Sequence, residues 1–210
     1  MYINPINRQN FTARNPKIRF ADDLARQVNQ EYPRISATKM EALEHAKDFP
    51  ETINNLKLAV RIMRKKKREE ISFFASTSEL VNRLLNTIKT HKTGNCGESA
   101  ELALISAKLN GLENSSKAYI EATNGNDFDH AVVLINDKKP YIIDAWLGFA
   151  DYVPNAIKRY QGEFRKYFDF DECGEKMLIK TENNYLNDKI PEKELKKIKN
   201  AHPELIICKY

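Results

Sequence analysis

The sequence predicts an α+β protein, and three observations carry that reading. The first ninety residues place apolar side chains at helical spacing and show no strand-like alternation. Three short, β-branched segments bounded by turn residues then follow between positions 117 and 146. Seven glycines in 210 residues are too few for a loop-rich all-β architecture.

A chain of 210 residues can form one sizeable core, or one domain with a helical extension. Hydrophobic content of 41% beside a charged fraction of 30% fits a soluble globular protein. The 34 basic residues exceed the 29 acidic ones by five, a mild excess that gives no support to a nucleic-acid binder. Met1 to Asn10 lacks a signal-like apolar core, and no run approaches about 18 apolar residues, so no membrane span is expected. The three cysteines, Cys96, Cys173 and Cys208, form no Cys-x-x-Cys pair. That sparse, odd count fits a reducing compartment and argues against a disulfide scaffold or a structural zinc site.

Taken in order, residues 1–20 read as an irregular arm broken by Pro5 and Pro16. Leu24, Val28 and Tyr32 predict a short helix that ends before Pro33. A second helix opens at Ser36 or Thr38 and runs to about Asp48. A longer one carries Ile53, Leu56, Val60 and Met63 into the basic run Arg64–Arg68. That run reads first as a solvated helix end, with cations near the negative end of the dipole, and second as a patch for an anionic partner. Leu80, Val81, Leu84 and Leu85 share a face of a helix from Ser76 or Ser78 to Ile88. After the polar break Thr90–Thr93 a further helix runs to Asn110-Gly111, a C-cap signal, with Leu102, Ile105 and Leu109 on one stripe. Strands are predicted at Lys117–Thr123, His130–Ile135 and Tyr141–Trp146, a helix near Pro154, and a last strand at Lys176–Thr181. Residues 182–202 read as exposed, with Glu204–Cys208 docking on the core. The domain reading is a helical extension over 1–75, a core over 76–181 and a polar C-terminal segment over 182–210.

Candidate chemistry centres on Gly94-Asn95-Cys96-Gly97-Glu98-Ser99-Ala100. Cys96 falls at a helix start, where unpaired backbone N–H groups and the positive dipole end favour a thiolate. Small residues around it leave room for close approach, and Glu98 offsets the dipole. The next two strands supply partners. A three-residue turn between Ile135 and Lys139 makes opposed positions sum to 274, which sets His130 across from Asp144. A carboxylate there can hold an imidazole and fix its tautomer, whereas a one-residue slip would put the two on opposite faces. Each is an ionisable residue in an apolar strand, a costly placement if unpaired. The alternatives are a buried inert thiol, a histidine at the sheet rim and an aspartate that opens a turn. His45, His91 and His202 read as solvated, and the second Cys-Gly-Glu, at Cys173, lacks a following apolar helix.

Cys96 at a helix start, His130 opening a strand, and Tyr-Ile-Ile-Asp144-Ala-Trp146 together resemble the transglutaminase-like superfamily of papain-fold cysteine enzymes. Gly94, Cys96 and Ala100 meet its Gly-x-Cys-x-x-x-Ala pattern, and Asp144 and Trp146 its Asp-x-Trp ending. The match covers residues 76–150. Two features depart from the pattern: Val132 stands where an aromatic residue often follows the His, and the papain-type Gln before the Cys is absent.

The resemblance implies a papain/transglutaminase-like core with the Cys96 helix packed on a small antiparallel sheet. It implies a cofactor-free Cys96-His130-Asp144 enzyme that deamidates or transamidates Gln or Asn carboxamides of a protein substrate. A cysteine protease with the same triad, or a non-catalytic protein-binding module, are its alternatives. Asn95, Gly97 and Trp146 are the oxyanion or substrate-site candidates. The small size and the Lys- and Asn-rich extension resemble bacterial effectors, which implies a host protein as substrate and action in the bacterial or host cytoplasm.

Overall fold

The apolar stripes predicted within residues 16–31 and 96–109 pack on one sheet, while that of residues 50–71 packs on a neighbouring helix. The computed structural model describes residues 15–41, 50–71, 76–122, 129–165, 177–182 and 185–207. The readings of residues 1–14, His45, Asp48, Cys173 and Cys208 lie outside the described residues.

Five helices come first: α1 (Pro16–Glu31), α2 (Ala37–Glu41), α3 (Pro50–Ile71), α4 (Thr77–His91) and α5 (Cys96–Leu109). Strands β1 (Ser115–Ala122), β2 (Asp129–Ile135), β3 (Tyr141–Asp144) and β4 (Phe149–Tyr152) follow, then α6 (Val153–Gln161), β5 (Met177–Thr181) and α7 (Glu192–Ala201). All strand pairs are antiparallel, in the order β4-β3-β2-β1-β5. The fold is α+β. No helix among the described residues is long and apolar enough to cross a membrane.

The centre is α5, buried on every side from Glu98 to Leu109. It lies against β1, β2 and β3 on one side and α1, α4 and α7 on the other. Leu102, Leu104, Ile105 and Leu109 therefore all enter one core, each worth about 1.5–3 kcal/mol of burial. That core also takes Leu24 and Val28 of α1, Leu84 and Leu85 of α4, and Ile198 of α7. The buried start of α5 is thus a fixed point for whatever it carries.

Several elements differ from the sequence reading. Pro16 begins α1 instead of breaking an arm, because Asn15 caps that helix by accepting the Lys17 N–H at 3.0 Å. Phe149–Tyr152 forms a strand, where a direct return to helix was predicted. The polar stretch before Glu204 contains α7, whose Ile198 is fully buried, together with buried Leu186 and Ile190. The β2–β3 turn has five residues, Asn136 to Pro140, because Ile135 pairs with Tyr141 and opposed positions sum to 276. His130 and Asp144 are accordingly diagonal neighbours. A shift of two preserves the face of every side chain, where a shift of one would reverse it.

Two loops are joined beside the start of α5. Ile35 and Thr93 form a parallel bridge, with Ile35 N–H donating to Lys92 C=O and Gly94 N–H to Ile35 C=O. The bridge carries Arg34 and Ser36 to the Cys96 end of the helix.

Candidate active site

Cys96 occupies the first position of α5, where a backbone N–H has no partner within the helix. The residues beneath it hold this end rigid. Glu98, only 2% exposed, accepts the Asn95 N–H at 3.0 Å and receives Arg64 of α3 in a two-point pair at 2.8 and 3.0 Å. Glu98 is therefore a structural anchor as well as a dipole-compensating charge. The Glu98 hydrogen bond raises the Arg64 guanidinium pKa, burial offsets part of the rise, and the nearby Cys96 adds to it.

Arg34 fills the space behind. It donates to Ser99 Oγ at 3.1 Å, Tyr32 C=O at 2.6 Å and Asn29 Oδ1 at 2.7 Å. Burial lowers its pKa to about 10, against an opposing pull from Glu98. A Cβ on Gly94 would sit 3.0 Å from Glu98 Cβ and 3.4 Å from Arg34 Cδ, so this glycine serves internal packing. Ser99 and Ala100 are buried too. Gly97 is different: among the described residues a Cβ there would meet only Arg64, at 3.8 Å, so they leave the backbone beside the sulfur open.

His130 projects from β2 and is 1% exposed; Asp144, at the end of β3, is fully buried. His130 Nε2 lies 2.6 Å from Asp144 Oδ2. That oxygen also accepts the Tyr160 hydroxyl from α6 at 3.0 Å, while Asp144 Oδ1 accepts the Leu147 N–H at 2.9 Å. One carboxylate thus both opens the Ala145–Gly148 turn and holds the imidazole. The Cys96 sulfur lies close enough to the imidazole to favour its charged form. Burial acts to lower the His130 pKa, but the Asp144 charge and hydrogen bond, with the Cys96 contacts, outweigh it and carry it above the ordinary value. Burial and the Asp144 charge also raise the Tyr160 pKa well above that of a free phenol, so this side chain is a neutral donor.

Aromatic walls close the lower half of the site. Trp146 and Tyr160 stand 5.3 and 5.5 Å from the His130 ring, centre to centre. Trp146 Nε1–H donates to Ser36 Oγ at 3.0 Å, so the indole is already committed. Ser36 also accepts the Lys39 N–H at 3.3 Å and spends its own proton on Asn95 Oδ1 at 3.0 Å. The Asn95 amide is thereby oriented, with Nδ2 on the side away from Ser36. Lys39 bonds the Trp146 carbonyl and sits 4.9 Å from the indole centre. Burial lowers its pKa, partly opposed by Asp144.

Sequence reasoning brought Cys96, His130 and Asp144 to one place, with Asn95, Gly97 and Trp146 around them. It missed Arg34, Ser36, Arg64 and Tyr160, which carry no local signal and act only through tertiary contact. His202, read as solvated, is 6% exposed and lies 3.1 Å from the buried Tyr32 hydroxyl. His91 ends α4 and is half-buried. Among the described residues no group of three or more His, Cys, Asp and Glu could hold a metal ion.

Fold and site together define a half-buried thiol, a buried imidazole and a buried carboxylate in series on an α+β scaffold. No family model matches the chain, and no similar curated protein or solved structure was found.

Proposed function

We propose that the protein is a cysteine-dependent amidohydrolase or acyl transferase of transglutaminase-like type, acting on carboxamide groups of proteins through Cys96, His130 and Asp144. The observation that carries this reading is His130, bonded through Nε2 to Asp144 at 2.6 Å and within electrostatic reach of the Cys96 sulfur. A buried imidazole does not need two ionisable partners for packing, and the series nucleophile, base and orienting acid is what thiol acyl transfer requires.

With the thiol proton already on His130, Cys96 Sγ attacks the carboxamide carbon. The oxygen of the tetrahedral intermediate is held by the Cys96 backbone N–H and by Asn95 Nδ2. Collapse breaks the C–N bond, His130 gives its proton to the leaving nitrogen, and ammonia departs from a thioester. Water, deprotonated by His130, then attacks the thioester, yielding a carboxylate and releasing Cys96 Sγ beside the protonated imidazole. An amine in place of water gives an exchanged amide. Asp144 keeps its charge throughout and stabilises the imidazolium. The open backbone at Gly97 admits the acyl group, while Trp146, bonded to Ser36, orients Asn95 in place of contacting the oxyanion.

Iodoacetamide labelling tests the reading. Cys96 should be alkylated ahead of Cys173 and Cys208, with a pH-dependent rate that His130→Ala abolishes; slow, equal labelling of all three would defeat it. With a protein substrate, deamidation raises the mass by about one dalton, whereas peptide fragments would assign the triad to proteolysis instead.

A further inference from the structure

The basic run of α3 carries a stripe of arginines. Arg61, Arg64 and Arg68 recur at i, i+3 and i+7, which places them on one stripe of the helix. Val60 and Met63 bury the adjoining face, so the stripe runs along the edge where α3 meets the rest of the protein. Its middle member touches the site: Arg64 pairs with Glu98 and approaches the open backbone at Gly97. Arg61 and Arg68, one turn to either side, are exposed and have no carboxylate partner among the described residues. Across the site, Lys39 adds a further cation beside Trp146.

We infer that the Arg61–Arg64–Arg68 edge of α3 is a docking track for an acidic segment of the protein substrate, laid beside the Cys96 sulfur. The inference rests on the proposed thiol chemistry for the meaning of "substrate", and deepens it by naming the substrate's charge. From Arg61 to Arg68 the stripe spans about 10 Å at the helical rise, the length of roughly three residues of extended chain. Guanidinium groups bind carboxylates in two-point fashion, so arginines suit this role better than lysines.

Two other anionic surfaces fit less well. No aromatic residue occurs on α3, so the stacking platform of a single-strand nucleic-acid site is missing. The exposed apolar residues of α3, Leu58 and Ile62, lie roughly 100° around the helix from the arginine stripe, so a membrane would engage a different face.

The test uses the full chain and labelled peptides of about twelve residues with one central Gln, flanked by Asp and Glu or by Lys and Ser. In Cys96→Ala protein, fluorescence anisotropy should show binding of the acidic peptide alone. The exposed charge reversals Arg61→Glu and Arg68→Glu together should weaken it by about tenfold or more, and raised salt should act in the same direction. The milder pair Arg61→Gln and Arg68→Gln should weaken it less. In protein with Cys96 intact, the acidic peptide should slow iodoacetamide alkylation of Cys96, while the arginine variants alone leave that alkylation unchanged. Equal binding of both peptides, indifference to the arginine changes, or binding without protection of Cys96 would each overturn the track. So would arginine-dependent binding of heparin or phosphatidylserine vesicles with no binding of the acidic peptide. The catalytic reading fails separately, through unselective alkylation of the free protein.

Discussion

Oδ2 of Asp144 receives two donors at once, His130 Nε2 at 2.6 Å and the Tyr160 hydroxyl at 3.0 Å. Both come from elements that flank it, β2 and α6, and both are fully or almost fully buried. Both oxygens of the buried Asp144 carboxylate are thus hydrogen-bonded by protein donors, which is what a buried carboxylate requires. Removing either donor separates the structural work of Asp144 from its effect on the imidazole.

Tyr160→Phe keeps the ring that packs on His130 and Phe149, and removes only the hydroxyl. A hydrogen bond to a charged group contributes about 1.5–3 kcal/mol, so the variant should unfold at lower denaturant concentration by that order. Alkylation of Cys96 should slow less than in Asp144→Ala, because the His130–Asp144 contact survives. An unfolding midpoint equal to that of the parent would show that the hydroxyl contributes nothing to Asp144.

The raised His130 pKa has a definite sign in stability. A histidine favoured as the cation in the folded state stabilises fully below its unfolded value of 6.5, and that contribution is lost as pH rises toward about 10. Over that window the parent should lose stability relative to His130→Gln, measured as the difference in unfolding free energy. Imidazole proton shifts should report His130 still cationic at pH 8, and titrating lower in Asp144→Asn, where the charge that raises it is gone. An imidazole already neutral at pH 7 in the parent would contradict the ion pair.

The sequence made His130 and Asp144 legible through parity. Their shared face follows from an even register sum, and it survives the difference between a three-residue and a five-residue turn. Turn length itself was not readable, because Asn136-Asp-Lys-Lys-Pro140 carries no Gly to mark a tight hairpin. The helices α1, α4 and α5 announced themselves through periodic Leu, Val and Ile. By contrast α7 presents only Leu195 and Ile198 among lysines and glutamates, so its burial becomes visible only once α4 and α5 are beside it. The four-residue β4 is too short to show alternation. Ser36 lies 59 residues from Asn95 and 110 from Trp146, and Arg64 lies 34 from Glu98. Such partners leave no local trace, since loop bridging and helix packing alone bring them together.

Glu98 and Arg64 make a stability prediction. The carboxylate is almost fully buried, whereas the Arg64 side chain is 44% exposed, so the pair sits between the buried and surface limits. Arg64→Ala removes the two-point partner of a buried carboxylate and should cost about 1–3 kcal/mol. Because Glu98 fixes the first turn of α5, alkylation of Cys96 should also slow. Double substitution with Glu98→Gln should recover part of the stability, since the charge that Arg64 offsets is then absent; full additivity of the two losses would mean that they do not interact.

Asn95→Ala distinguishes a nucleophile from an acyl-transfer site. Alkylation by iodoacetamide displaces iodide from a saturated carbon and develops no oxyanion, so it reports only the thiolate and its access. Acyl transfer passes through a tetrahedral oxyanion, whose loss of one donor costs about 10²–10³-fold in turnover. Asn95 Oδ1 is held by Ser36, which is held in turn by the Trp146 indole, so Nδ2 is the part of the amide left to reach a substrate. Asn95→Ala should therefore keep alkylation of Cys96 within about threefold of the parent while turnover of a carboxamide falls by about a hundredfold. Trp146→Phe should act in the same direction but more weakly, since it loosens Ser36 and leaves the amide in place. Asn95 also caps α5, its side chain accepting from the Glu98 N–H, so a parallel loss of alkylation and turnover in Asn95→Ala would leave it that capping role alone, and the second oxyanion donor would have to be sought elsewhere.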